Sequence, residues 1–136
     1  MATAPVIQLT AQVISKAIIT AAMRVHTELG PGSLESACSA CLRHELKSEG
    51  YDSSPQVGLP VVYRGVKLDI GYRMDLLVEN RVIVEVKSVD ALAAVHHAQI
   101  ISYLKLSGKS IGLLINFNVV HLKDGIKHFV NGTHWQ

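Results

Sequence analysis

Residues 81–90, RVIVEVKSVD, constrain the fold most, because they alternate like a β-strand and carry charges inside the alternation. Side chains of a strand point to its two faces in turn, so the three valines of VIVEVK share one face, whereas Ile83, Glu85 and Lys87 share the other. A half-solvated strand is the ordinary interpretation. The alternative is that Glu85 and Lys87 form part of a functional site, which the surrounding sequence tests.

Length and composition favour one compact α/β domain spanning residues 1–136, with residues 1–9 expected to be poorly ordered. The chain is 49% hydrophobic with four prolines, which suits a core of ordinary size. Its formal net charge of +2 excludes a strongly basic nucleic-acid footprint. Binding of phosphate would therefore need a local basic patch or a metal ion.

The sequence predicts a cytoplasmic protein with no membrane span. Its apolar runs fall far short of the roughly 20 residues that cross a bilayer. The opening MATAPVIQLT lacks a charged segment followed by an apolar one, and two cysteines make no disulfide framework. Cys38 and Cys41 form a C-x-x-C that is compatible with zinc, redox chemistry or a cluster, but two thiols packed in the core are favoured because no second ligand pair exists.

Helical periodicity dominates the first part of the chain. Thr10 is a candidate N-cap for a first helix that ends before GPG at 30–32, and Ser33 is a candidate cap for a second that runs to Gly50. The two helices predict an αα-hairpin.

From Val57 the apolar period changes from helical to two. Residues 57–68 predict two short strands around Arg64-Gly65, and residues 72–87 predict a hairpin that turns near Glu79-Asn80. The middle of the chain is therefore expected to be sheet.

A third helix and further strands follow. Asp90 is the candidate cap of this helix, which Gly108 closes, and a buried strand at 111–117 precedes a last hairpin around Asp124-Gly125. The predicted order is ααβ(β)ββαβ with a β-rich tail.

The central hairpin predicts an acidic pair. A turn that is symmetric about Asn80 sets Asp75 opposite Glu85 and Arg73 opposite Lys87, and this register needs an odd-length loop or a bulge. The opposite face is then wholly apolar. It comprises Met74, Leu76, Val78, Val82, Val84 and Val86.

Opposed carboxylates need a positive partner. Directly facing Cβ atoms lie roughly 5 Å apart, so Asp75 and Glu85 would repel. Two carboxylates and a backbone carbonyl suit Mg²⁺ or Mn²⁺, with Lys87 orienting a water or neutralising a phosphate oxygen. A salt bridge from Arg73 or Lys87 to the acids is the structural alternative.

The third helix carries a polar stripe of His96, Gln99 and Tyr103 on an otherwise apolar sequence. The stripe suits a solvent face. It also suits a site, since the helix follows Lys87 closely and its first turns must pack near that end of the strand.

This arrangement of an early acid, D-x₉-E-x-K on a hairpin and then a helix resembles the core of the PD-(D/E)XK nuclease superfamily. Four segments look like the signature blocks of its GxxExxY family, and the likeness covers about residues 10–130. The segments are VHTELGPGSLESAC, YRMDLLVENRVIVEVKSV, HHAQIISYLKLSGKSIGLLINF and LKDGIKHFV. The fold implied is restriction-endonuclease-like, with an αβββαβ core, an extra N-terminal helix and a C-terminal β-hairpin.

The resemblance assigns roles to residues of the early helix and of the hairpin. Glu35 matches the helical acid that supports the metal through water, whereas Cys38 stands where the family has its tyrosine. Asp75, Glu85 and Lys87 match the D…E-x-K triad, with the Val86 carbonyl as a further metal ligand.

The same resemblance implies catalytic and binding roles. Glu35, Asp75, Glu85 and Lys87 would be catalytic, and Mg²⁺ or Mn²⁺ the cofactor for hydrolysis of DNA or RNA phosphodiester bonds. Gln99 and Tyr103 match a helical Q-x-x-x-Y. The expected substrate-binding residues are Gln99, Tyr103, Arg73 and His96.

Two other functions fit the same residues. One is a catalytically inactive module that binds nucleic acid, a protein partner or a second copy of itself as a homodimer, and the other is a hydrolase of small phosphoesters. Scattered cations suit either a phosphate track or plain solvation. They are Arg43, Lys47, Arg64, Lys67, Lys105 and Lys109.

Overall fold

The computed structural model describes residues 9–131, apart from the side chain of Ile70. Its helices are α1 (Ala11–Leu29), α2 (Glu35–Ser48) and α3 (Ala94–Ser107), and a 3₁₀ turn spans Leu122–Gly125. Its strands are β1 (Ser53–Tyr63), β2 (Val66–Val78), β3 (Val82–Lys87), β4 (Ile111–Asn116) and β5 (Ile126–Val130). Poor order was expected for residues 1–9, of which residues 1–8 lie outside the described residues.

The strands form one five-stranded sheet in the order β1-β2-β3-β4-β5. Only β3 and β4 are parallel, and α3 connects them as a crossover, as parallel neighbours require. The core α2-β1-β2-β3-α3-β4 has the predicted order αβββαβ, with α1 as the extra helix. The mixed α/β fold class predicted from the sequence is therefore confirmed.

Two apolar layers cover the faces of the sheet. The larger layer packs α1 and α2 on the face that holds Leu76, Val84 and Leu113, and the smaller one packs α3 on the face that holds Leu77 and Ile83. Every residue of β4 is buried, because this strand has sheet on both edges and helices on both faces.

Of the three predicted helix N-caps, one is confirmed. The Thr10 hydroxyl accepts a hydrogen bond from the Val13 N–H. Ser33 was wrong: α2 begins at Glu35, and the Ser33 hydroxyl donates backwards to the carbonyls at the end of α1. Asp90 was also wrong: α3 begins at Ala94, and the His96 ring accepts the Ala93 N–H through Nδ1.

The register of the central hairpin is as predicted. Val78 pairs with Val82 and Leu76 with Val84, so the paired residues are symmetric about Asn80. The loop is three residues long, and Glu79 and Asn80 both have positive φ, as in the primed turns that match the twist of a hairpin.

Met74 departs from the predicted face. It is buried in the layer under α3, whereas Leu76, two residues on, is buried under α1 and α2. The alternation breaks at Asp75, where β1 is also irregular because Gln56 has a φ of +51°. A strict period of two could not predict this break.

The hairpin around Arg64-Gly65 is confirmed, but its second strand runs unbroken from Val66 to Val78. The last hairpin was wrong in position. Asp124 and Gly125 close the 3₁₀ turn, and β5 instead pairs antiparallel with β4, whose edge would otherwise be open. The C-terminal hairpin is thus β4–β5.

Cys38 is buried in the larger layer and Cys41 packs against it, both as free thiols, as the core interpretation predicted. Burial raises the pKa of the Cys38 thiol. Within residues 9–131, no helix has the length and apolar character of a membrane span.

Gly125 is expected to tolerate no side chain. A Cβ at this position would lie 2.2 Å from the backbone oxygen of Asn116, which cannot move without disturbing β4. We therefore expect Gly125→Ala to lower the free energy of unfolding by about 2 kcal/mol or more, measured by urea denaturation. Gly58→Ala is the control, since its Cβ meets nothing within 4 Å, and an equal loss in both variants would contradict this explanation.

Candidate active site

The acidic pair lies where the ladder between β2 and β3 ends. Beyond the pairing of Leu76 with Val84, a carboxylate of each strand accepts a hydrogen bond from the backbone of the other strand. The Asp75 N–H donates to Glu85 Oε2 at 2.7 Å, and the Val86 N–H donates to Asp75 Oδ2 at 2.8 Å. These two bonds satisfy the backbone donors that the ladder leaves and draw the two carboxyl groups together, as predicted.

Glu85 is the buried member of the pair, with 2% of its surface exposed. Burial is the largest cause that raises its pKa to about 8, and the negative charge of Asp75 adds to it. The nearby Lys87 ammonium acts in the opposite direction without cancelling the rise. The buried Glu85 side chain nonetheless has a polar partner, since its Oε2 accepts a hydrogen bond from the Asp75 N–H.

The donor set at this point fits a hard divalent cation. Each carboxylate uses one oxygen on a backbone N–H, so Asp75 Oδ1 and Glu85 Oε1 remain, and the Val86 carbonyl would add a third oxygen. No cluster of three or more His, Cys, Asp or Glu side chains able to hold a metal occurs within residues 9–131. Glu35 is therefore not grouped with the pair as a third direct ligand.

Glu35 and Asp75 line the same open cleft, whereas Glu85 lies buried behind it. The cleft has a volume of about 770 Å³, and its lining includes Glu35, Asp75 and Val86; we call it the acidic cleft. Glu35 begins α2, and its Oε2 accepts the Ser88 N–H at 3.1 Å. Ser88 also donates its hydroxyl to the Ser33 carbonyl at 2.5 Å, which ties the start of α2 to the end of β3.

Two asparagines that the sequence analysis did not select fix the loops around the acidic cleft. Asn116, 2% exposed, accepts the Val89 N–H at 3.0 Å and donates to the Val89 carbonyl at 2.9 Å. Asn118 accepts the Gly32 N–H at 2.9 Å. The sequence did contain a signal for Asn116. It is the polar residue at the end of an otherwise apolar strand, and a buried amide needs hydrogen-bond partners.

The predicted cations lie beside the acids without pairing with them. Lys87 is partly exposed, and Arg73 is exposed on β2. In the described part of the chain neither forms a salt bridge, and the ion pairs found there join Arg24 to Glu45 and Glu49. The salt-bridge alternative for the acidic pair is thus not what the structure contains.

The three polar residues of the stripe on α3 have two different roles. Gln99 donates to the Tyr103 hydroxyl at 2.9 Å, and Tyr103 is 3% exposed. Burial, and then the negative charge of Glu85, raises the pKa of Tyr103, so its hydroxyl keeps its proton near the acids. His96 instead caps the start of the helix through Nδ1.

The raised pKa of Glu85 predicts a distinctive pH dependence for the metal-free protein. The unfolded carboxyl loses its proton near 4.5, whereas the folded one keeps it to about 8, so the folded state binds more protons between these values. Stability should therefore fall as pH rises through this window, by on the order of a few kcal/mol.

Urea denaturation in EDTA from pH 5 to pH 8 measures this effect. Glu85→Gln should remove this part of the slope, and Glu28→Gln, at an exposed position, should keep it. Identical slopes for the wild type and Glu85→Gln would contradict the assignment.

Comparison with known proteins gives the family of the chain. The sequence model of the PD-(D/E)XK nuclease superfamily matches residues 12–129, which include every residue of the acidic cleft and all three stripe residues of α3. Searches of curated proteins and of solved structures found no match. The match covers most of the sequence, and the chain therefore belongs to the PD-(D/E)XK nuclease superfamily.

Proposed function

We propose that the protein is a metal-dependent nuclease that hydrolyses phosphodiester bonds of DNA or RNA. The observation that carries the proposal is the reciprocal bonding of Asp75 and Glu85 to the opposite strand's backbone, which brings the buried Glu85 carboxylate beside Asp75, a residue that lines a wide cleft. Membership of a nuclease superfamily supports the reaction type.

Asp75, Glu85 and the Val86 carbonyl would hold Mg²⁺ or Mn²⁺, with Glu35 acting through a water. When bound, the ion supplies charge stabilisation at phosphate and lowers the pKa of a coordinated water. Lys87 then has two tasks on the same face: it orients the attacking water and balances charge that develops on a phosphate oxygen. Its partial exposure suits both tasks, as does the lack of a salt bridge to it within residues 9–131.

Four residues are proposed to bind the substrate, namely Gln99, Tyr103, Arg73 and His96. Tyr103 keeps its hydroxyl proton because its pKa is raised, and Gln99 orients that hydroxyl. Arg73 is exposed for contact with a phosphate. His96 uses Nδ1 as a cap, so only its Nε2 is available, which makes it the weakest member of the set.

Within the superfamily, we propose the GxxExxY branch. Gly32 and Glu35 occupy the first two named positions, and both are bonded to the loops that frame the acidic cleft. Cys38 occupies the tyrosine position and is buried in the core. A thiol there contributes packing rather than the phenol of the motif, so this chain would work without that group.

Hydrolysis tests the proposal. Labelled single-stranded and duplex DNA and RNA are incubated with the protein and Mn²⁺. Cleavage is expected for the wild type and at least a hundredfold less for Glu85→Gln and Lys87→Ala, because each removes charge stabilisation or proton-transfer assistance.

Exposed residues of the same types provide matched controls. Glu28→Gln and Lys47→Ala lie on the helices, are exposed, and should cleave like the wild type. Cleavage that survives unchanged in Glu85→Gln would show that the acidic pair is not the catalytic site. Binding without cleavage by any sample would favour the inactive-module alternative.

Metal binding is a separate prediction. Titration calorimetry with Mn²⁺ should give one saturable site that Asp75→Ala abolishes, since this change removes one of the two carboxylates. Glu79→Gln, in the hairpin loop, should leave the titration unchanged. A titration without any binding heat in the wild type at several temperatures would reject the proposed ligand set.

A further inference from the structure

Gln56 has a backbone conformation that is unusual for its place in the fold. Its φ is +51°, although it lies inside β1. In the described part of the chain, the other non-glycine residues with positive φ lie in hairpin turns, and they are Arg64, Glu79 and Asn80. Such turns require positive φ, whereas a strand does not. A side chain held in this conformation inside a strand points to a functional constraint.

Gln56 lies opposite Asp75 in the β1–β2 ladder. The residues before and after Gln56 pair with Leu76 and Met74. Those two side chains are buried on opposite faces of the sheet, so the alternation of β2 breaks at the level of Gln56. Gln56 and Asp75 both line the acidic cleft. The irregular part of the hairpin therefore places Gln56 beside a proposed metal ligand.

The side chain of Gln56 is free to contact a ligand. Gln56 is exposed. Three other polar side chains of the cleft lining are bonded to the surrounding loops, whereas no hydrogen bond to the Gln56 amide occurs within residues 9–131. The three are Ser33, Ser88 and Asn118. The amide N–H groups of Gln56 are thus unused donors at the cleft.

The charges in the acidic cleft make a neutral donor useful. Its lining includes Glu35 and Asp75 but, among the residues that the structure describes, no lysine, arginine or histidine. A phosphate in this cleft therefore meets neutral donors rather than cations, apart from a bound metal. A carboxamide offers two N–H donors. Because it carries no charge, it does not compete with a metal ion for Asp75, as a lysine at this position would.

We propose that Gln56 contacts the substrate: its side-chain amide donates to a phosphate oxygen of the nucleic-acid strand that is bound at Asp75. Asparagine and glutamine side chains are among the groups that fix the backbone of a nucleic acid in register. The positive φ then has a function, since relaxing it would change the direction of the side chain. The inference rests on the proposed function in taking nucleic acid as the substrate.

Fluorescence anisotropy tests this contact. Each variant is made in the Lys87→Ala protein, so that binding is measured in Mn²⁺ with little hydrolysis. The probes are short labelled DNA and RNA oligonucleotides, single-stranded and duplex. Gln56→Gly should bind the preferred probe roughly tenfold more weakly, the order expected for a lost hydrogen bond to a charged group. Gln56→Glu should bind it more weakly still, because it has the same size but adds a negative charge.

Two further measurements separate a contact with substrate from a structural role. Glycine adopts positive φ without strain, so Gln56→Gly should not lower the midpoint of urea denaturation. It should also leave the Mn²⁺ titration unchanged, since Gln56 is not a proposed ligand. Asn80→Gly is the matched control. Asn80 is exposed and has a φ of +54° in a hairpin turn, and its replacement should not change the affinity for the probe.

Each outcome bears on the inference separately from hydrolysis. Unchanged binding by Gln56→Gly would overturn it even if the wild type cleaves nucleic acid. Weaker binding that comes with a lower denaturation midpoint would overturn it as well, because the effect would then act through folding. Weaker binding by Gln56→Gly at an unchanged midpoint would support the contact, even if no sample cleaves the probe and the nuclease activity is rejected.

Discussion

The rest of the site depends on two reciprocal hydrogen bonds, in which a carboxylate of β2 and one of β3 each accept a backbone N–H of the opposite strand. A regular ladder would satisfy the N–H groups of Asp75 and Val86 with carbonyls and would keep the strands evenly spaced. Here Glu85 and Asp75 accept those N–H groups with their side chains instead. The strands can therefore separate without leaving buried donors unpaired, a fault that costs about 1–3 kcal/mol for each group. The opening between them becomes part of the acidic cleft.

Three loops hold this opening in place, and they come from distant parts of the sequence. The turn before α2, the segment after β3 and the segment after β4 are joined through Ser88, Asn116 and Asn118. Each of these hydrogen bonds links a side chain to a backbone group. The positions of the three loops therefore depend on a few side chains and mainly on the course of the backbone. Ser88 bonds to both Ser33 and Glu35, so the start of α2, with Glu35 on it, is tied to the end of β3. The face proposed to be catalytic is thus held by hydrogen bonds where the helices meet the sheet.

Periodicity and turn chemistry were sufficient to predict the element order, the hairpin register and the meeting of Asp75 with Glu85. They failed where a single residue changes face or where a cap is chosen by tertiary contacts. Met74 was misplaced because the alternation of side chains along β2 breaks at Asp75, and Ser33 and Asp90 were misplaced because their helices begin later than local propensity indicates. Asn116 was missed because its partners are backbone groups of a loop 27 residues away, which no local pattern encodes. Local signals therefore determine the scaffold, while long-range polar contacts determine the details of the site.

The electrostatics of the acidic pair argue for an ion rather than for a lysine as its partner. Lys87 lies close enough to favour the charged form of Glu85, yet burial and Asp75 together still raise the pKa of Glu85 to about 8. One ammonium at the rim is thus insufficient to hold the pKa of Glu85 at its ordinary value. The Glu85 carboxyl therefore keeps its proton near neutral pH unless a second positive charge lies beside it. The divalent cation that we propose would supply this charge with both acids as its ligands, and it would leave Lys87, which forms no salt bridge within residues 9–131, to balance charge on phosphate.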